Sequence, residues 1–404
     1  MFKKSLIAVA ALTAFAGSAM AADITISGRI DTGLNFHDQE IKAGGETTTD
    51  ENTFQMKSGQ YSGSRITIKG SEELGNGMKA GFVLENGFEG DDGSFDSNGD
   101  DKMFGREAIV YLEGDWGHFS MGRVGALTSG VGSYSIVYGY TPFGTGWGSY
   151  GGAKGEFMLG DRSRFNNTLT YRSPEFAGVK VYAQYSLDAD GQEDEHSGVN
   201  KRYAALGATY DVGAFSTGLV VDTIMNGRDD TSHNTEDSLG VSWGASYDFG
   251  VTKPMILVQY GKNENTLGGW NFAEYNDIDT DLGKQWVGDN EGLTGYAISL
   301  GAVTPLFGGN LYTAVNYTDG EVESDVAYGW GATADAAVYP VKIDGDVQRW
   351  GVAVGYDYPL SKRTKLYGFA AYNEGEWKQS WNGGDTVKVE ETDIEAGVGL
   401  IHYF

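Results

Sequence analysis

Apolar and polar side chains alternate along most of this chain, and a period of two residues confines it to extended strands. From the amino-terminal side, Ile24, Ile26, Gly28, Ile30 and Leu34 fall on one face, and Thr25, Ser27, Arg29, Asp31 and Asn35 on the other. The alternation returns at Ile66 and Ile68, at Leu239 to Tyr247, at Tyr296 to Ala302, at Leu311 to Tyr317, at Trp350 to Tyr356 and at Ile394 to Leu400. A soluble sandwich alternates in the same way, so the connections must decide what surrounds the strands. Short turns near 73–77, 113–117, 174–178, 211–213, 249–253, 305–309 and 359–363 take turns with long Gly-, Asp- and Asn-rich stretches. The long stretches lie near 37–60, 89–102, 124–163, 188–200, 225–237, 262–293, 319–346 and 374–391. Seven turns and eight loops join about sixteen strands, an even number of the size that encloses an aqueous lumen in a membrane barrel.

Aromatic residues near the segment ends support the same architecture. Tyr185, Tyr210, Tyr247, Tyr260, Tyr317, Tyr356 and Tyr372 occupy apolar positions where ring and hydroxyl suit a membrane interface. An open sheet in lipid would leave a row of unpaired N–H and C=O groups, so the last segment, ending at Phe404, is expected to pair with the one beginning near Ile24. Membrane-spanning helices are excluded, because mean hydropathy is −0.34 and no stretch beyond the amino terminus approaches the ~18 apolar residues such a helix needs.

The amino terminus reads as a processing signal. Lys3 and Lys4 precede an apolar run from Leu6 to Ala16, and Ala19-Met20-Ala21 is a small-x-small cleavage site. Residues 1–21 are therefore expected to be a cleaved secretory signal peptide, with 22–404 forming a single domain. The absence of Cys removes disulfide scaffolds, thiolate metal sites and thiol nucleophiles. A formal net charge of −27 opposes nucleic-acid phosphate, so no nucleic-acid partner is expected.

Ser62-Gly63-Ser64-Arg65, Lys69-Gly70-Ser71-Glu72-Glu73-Leu74-Gly75-Asn76-Gly77, Phe104-Gly105-Arg106-Glu107-Ala108 and Met121-Gly122-Arg123 follow one another in order. Arg164-Phe165-Asn166-Asn167, Tyr171-Arg172-Ser173-Pro174-Glu175-Phe176-Ala177-Gly178, Leu360-Ser361-Lys362-Arg363-Thr364 and Gly399-Leu400-Ile401-His402-Tyr403-Phe404 complete the series. With this set of segments, spread over the whole mature chain, the sequence resembles the Gram-negative general porins. The resemblance implies an all-β, transmembrane, antiparallel up-and-down barrel of about sixteen strands in the outer membrane, trimeric and narrowed by an inward-folded third loop. Small hydrophilic solutes and ions would pass through it, lipid and lipopolysaccharide would surround it, and Phe404 would be read by the outer-membrane assembly machinery. No cofactor and no catalysis are expected.

The third loop, about Val124 to Ser163, is rich in Gly, Ser and Tyr, and can bend tightly at Gly144, Gly146, Gly148, Gly151 and Gly152. Alternation places Arg29, Arg65 and Arg164 on the wet faces of their strands, and the resemblance places Arg123 with them, facing the inserted loop. These four arginines are the expected constriction residues. The stretch Pro142-Phe143-Gly144 lacks an acid often found there in the family, which leaves Glu156 and Asp161 as the nearest loop acids, beside Lys154 and Arg162. At physiological salt the Debye length is about 8 Å, so acids on distant loops are screened while arginines lining the narrowing are not. Weak anion preference or little selectivity follows, despite the net charge. The alternatives are a pore specific for an anion or a sugar, with Tyr138, Tyr140 and Trp147 as a stacking track instead of loop packing, and a surface adhesin built on the same barrel.

Other chemistry finds little support. His37, His118, His196, His233 and His402 are scattered singly, without metalloprotease or hydrolase context. Asp96, Asn98, Asp100 and Glu107 have partial calcium-loop spacing, but Asp101 replaces the glycine that the turn needs, so a solvated acidic loop is expected there.

Overall fold

The computed structural model describes residues 23–95, 102–149, 162–189, 200–226, 234–264, 266–267, 270–271, 284–287, 289–290, 292–330 and 338–404. The expected signal peptide, the acidic run 96–101, His196, His233, Glu156 and Asp161 all lie outside these residues.

One antiparallel sheet closes into a barrel of 16 strands. In chain order these are β1 (Asp23–Ala43), β2 in two pieces (Glu46–Ser58 and Arg65–Gly75), β3 (Met78–Gly87), β4 (Glu107–Gly114), β5 (Gly117–Gly125), β6 (Arg164–Arg172), β7 (Val179–Ser186) and β8 (Arg202–Val212). There follow β9 (Phe215–Met225), β10 (Leu239–Tyr247), β11 (Lys253–Glu264), β12 (Leu293–Leu306), β13 (Gly309–Trp330), β14 (Val338–Pro359), β15 (Thr364–Trp381) and β16 (Val387–Tyr403). Closure is made by β1 against β16, in register from Arg29↔Tyr403 to Ala43↔Val389. Phe404 adds a reciprocal pair of backbone bonds with Gly28, at 3.0 and 3.1 Å.

Both pieces of β2 pair with β1: Thr32 faces Ser58, and Arg29 faces Arg65. The segment between them, residues 59–64, therefore leaves the ladder as a large bulge and returns to it in phase. A short strand, Lys284–Val287, pairs with the upper end of β13 and adds no position to the wall.

The period of two sorts the wall as the sequence requires. Ile24, Ile26, Ile30, Leu34 and Phe36 point outward and are exposed, whereas Asp31 and Asn35 between them are buried inside. This inversion of a soluble protein is what a lipid-facing wall around a polar interior needs. Tyr260, Tyr296, Tyr317, Trp350 and Tyr372 form an outward aromatic band over five neighbouring strands; Tyr296 and Tyr317 lie 6.1 Å apart, and Trp350 and Tyr372 5.6 Å.

All seven short turns occur where the sequence places them, but three of the long loops are mostly strand. The ladder of β1 and β2 continues to a hairpin at Gly44-Gly45, where both φ angles are positive, and β13 to β16 run 17 to 22 residues. Gly- and Asp-rich composition suggests loop at 37–60, 319–346 and 374–391. These stretches remain paired because water accepts the polar outer face while Val322, Val347, Trp377 and Val389 form a buried apolar cluster within. On the other side β4 to β8 span only 8 to 11 residues, so the wall is uneven in height.

Candidate functional site

The loop between β5 and β6 enters the barrel. Its residues 126–149 carry no charged side chain, and they cross the inner wall as far as β16; of the described loop residues only Arg162, at the far foot, is charged. Leu127 N–H donates to Gln184 Oε1 (3.2 Å), Tyr140 pairs with Ser216 (3.2 Å), Gly148 N–H donates to Gln60 O (2.9 Å), and Ser149 N–H donates to Glu395 Oε2 (2.8 Å). A 3₁₀ turn, Val137–Tyr140, carries the chain across the middle of this path.

The wall is shaped to receive it. Inward positions on five strands are glycines, and a methyl at each would collide with the loop: Gly207 and Gly218 with Ile136, Gly244 with Tyr140, Gly301 with Pro142, and Gly355 with Phe143 and Trp147. Trp147 ends the track among Tyr61, Phe143, Tyr312, Tyr367 and Phe369, with ring centroids 4.5 to 6.4 Å away. Tyr140 is 6% and Trp147 3% exposed, so neither has a free ring face. The sugar-stacking alternative is thereby corrected for both residues: their rings are consumed in seating the loop.

A second anchor joins wall and loop through His118, whose ring nitrogens lie 2.8 Å from Glu113 Oε2 and 2.7 Å from the Tyr134 hydroxyl. Tyr134 donates onward to Ser120 Oγ (2.8 Å), and burial pushes its phenol up to about 12.

The four arginines expected at the constriction lie on two pairs of neighbouring strands, Arg29 and Arg65 on β1 and β2 and Arg123 and Arg164 on β5 and β6, with β3 and β4 between the pairs. Arg29 Nη1 and Arg65 Nη2 both donate to Ser62 Oγ, at 2.9 and 3.1 Å, and Arg29 also lies over the Tyr403 ring at 5.3 Å. Arg65 further reaches Gly63 O and Glu85 Oε1. Arg123 donates to Gly105 O and Asn166 Oδ1, each at 2.6 Å. Arg164 reaches Ser163 Oγ at 3.3 Å, and it joins Arg29 and Arg106 in the electrostatic surroundings of Arg65.

Sequence reasoning missed three parts of this arrangement. Arg106, in the connection before β4, donates to Glu85 Oε1 (3.0 Å) and adds a fifth positive charge. Glu85 is the counter-charge, accepting also from Thr67 (2.7 Å). The bulge 59–64 is the third: Asp31, fully buried, accepts from Tyr61 N–H, Ser62 N–H and the Tyr367 hydroxyl at 2.7, 2.8 and 2.6 Å, and so fixes the hydroxyl that holds Arg29 and Arg65. The Ser62-Gly63-Ser64-Arg65 run was visible, but nothing in its periodicity shows that it leaves the ladder.

Arg162 is separate from this cluster. It is buried between Asp222 and Glu264, and although burial opposes its charge, the two carboxylates hold the guanidinium above its ordinary range. Among the described residues no group of His, Asp and Glu has the arrangement of a metal site.

Known proteins resemble the chain along its length. The family model described as Gram-negative porin matches residues 8–377. An outer membrane porin protein of Bordetella pertussis is 30% identical, over 92% of this chain and 94% of its own. Outer membrane porin protein 32 of Delftia acidovorans is 29% identical over the whole of both chains. Among solved structures, the anion-selective porin from Comamonas acidovorans superposes with a TM-score of 0.61 at 24% identity, covering 95% of this chain and all of its own.

Proposed function

The chain belongs to the Gram-negative porins and is a β-barrel of the outer membrane, and from that premise we propose that its lumen is a passive diffusion channel for ions and small hydrophilic solutes, with weak anion preference. The observation that carries this reading is a contrast in charge: the wall bears Arg29, Arg65, Arg106, Arg123 and Arg164, whereas residues 126–149 of the inward loop carry no charge. In a narrow, partly dehydrated passage such fixed charges act over their full range, whereas the acidic outer loops are screened by salt. The Comamonas acidovorans porin, whose fold this barrel resembles, is anion-selective, the same sign.

We take the protein to work as a homotrimer surrounded by lipid and lipopolysaccharide, with Phe404 as part of the assembly signal, and without catalysis. The signal peptide and its cleavage before Ala22 belong to the same reading.

Liposome swelling tests the mode of transport. Refolded protein is expected to admit neutral sugars at rates that fall smoothly with size and do not saturate. Saturable uptake of one solute, or block by it at low concentration, would mean a specific channel.

A further inference from the structure

Thr128 lies three residues beyond β5 and Arg162 two residues before β6, so they are the two feet of the inward loop. Both reach across β7 and β8 to one carboxylate on β9. Asp222 Oδ2 accepts from the Thr128 hydroxyl at 3.0 Å and from the Tyr203 hydroxyl at 3.2 Å, while Oδ1 accepts from Arg162 Nε at 2.7 Å. Asp222 is 2% exposed, and Gly240 beside it has no room for a side chain. The remaining guanidinium edge goes to Glu264 and to Ser238 Oγ (3.2 Å). We propose that Asp222 is the positioning residue of the third loop, holding both of its feet and thereby setting how far the loop stands out from the wall.

The other anchors are Leu127 on Gln184, beside the first foot, and Tyr134, Tyr140, Trp147 and Ser149 along the loop's middle and tip, each holding one point. Removing the Asp222 carboxylate frees two points and leaves Arg162 buried with one partner fewer, an arrangement strongly disfavoured in a dry interior. The inference rests on reading the loop as the constriction, and the test separates the two.

The chain has no cysteine and Val137, on the loop, is fully buried, so Val137→Cys gives a thiol that reports loop docking. Its labelling by a water-soluble maleimide is measured alone and combined with Asp222→Ala, Asp222→Asn or Thr128→Val, together with single-channel current and the heat-modifiable gel mobility of the barrel. With mobility retained, labelling is expected at least about tenfold faster with Asp222→Ala, and by smaller factors with Asp222→Asn and Thr128→Val, accompanied by noisier open-channel current. Thr128→Val, which exchanges one hydroxyl for a methyl, carries the test if Asp222→Ala does not assemble. Unchanged labelling in the assembled variants would overturn the proposal. Faster labelling with unaltered conductance and noise would uphold Asp222 as the positioning residue and remove the loop from the role of constriction.

Discussion

Arg29 and Arg65 stand directly opposite each other across β1 and β2, and the hydroxyl oxygen of Ser62 accepts a hydrogen bond from each. Two like charges in register across a ladder repel, so their orientation depends on this shared acceptor and on the buried Asp31 that fixes it. Hydrogen bonds to charged groups contribute about 1.5–3 kcal/mol each. Ser62→Ala should therefore leave the barrel folded but let the two guanidinium groups separate. Under a salt gradient its reversal potential should move toward zero, by less than that of Arg65→Ala. An equal or larger shift would mean that Ser62 does more than orient the pair.

The glycine track makes a prediction about packing. A methyl on Gly244 would collide with the Tyr140 ring, whereas one on Gly139 meets nothing within 4 Å. Overpacking costs about 1–3 kcal/mol, so Gly244→Ala should lower the thermal stability of the refolded barrel. Gly139→Ala should stay within about 0.5 kcal/mol of the parent. Adding Tyr140→Ala to Gly244→Ala should recover part of the loss due to crowding, and a purely additive double variant would show that the two residues do not press on each other.

Alkaline pH should weaken the anchor at Tyr134. Its phenol, pushed up by burial to about 12 from 10.0, favours the folded state while protonated. Its contribution is complete below pH 10 and is lost as the pH rises toward about 12. Thermal melts from about pH 8 to about pH 12 should show a steeper decline for the parent than for Tyr134→Phe; parallel curves would remove Tyr134 from the account.

The wall was legible because each strand residue has only two possible directions. Arg29 could be assigned inward from Ile30 alone, and Arg65 from Ile66. Arg106 could not be assigned, since a connection has no period, and the bulge at 59–64 was hidden because β2 resumes with its alternation intact. The partnership of Arg162 with Asp222, 60 positions apart, leaves no local trace at all. Misreading the polar ends of β13 to β16 as loops has a different origin: composition reports which solvent a strand meets, and these ends meet water while their inner faces still pack.

The most direct test of the central claim is the reversal potential of single channels in a planar bilayer across a KCl gradient, recorded for the parent, Arg65→Ala and Arg123→Ala. The account predicts large ohmic steps that close in threes, with a weakly anion-preferring potential that moves toward cations in both variants. Strong cation preference in the parent, or a potential that neither substitution moves, would contradict the assignment of selectivity to the arginine wall.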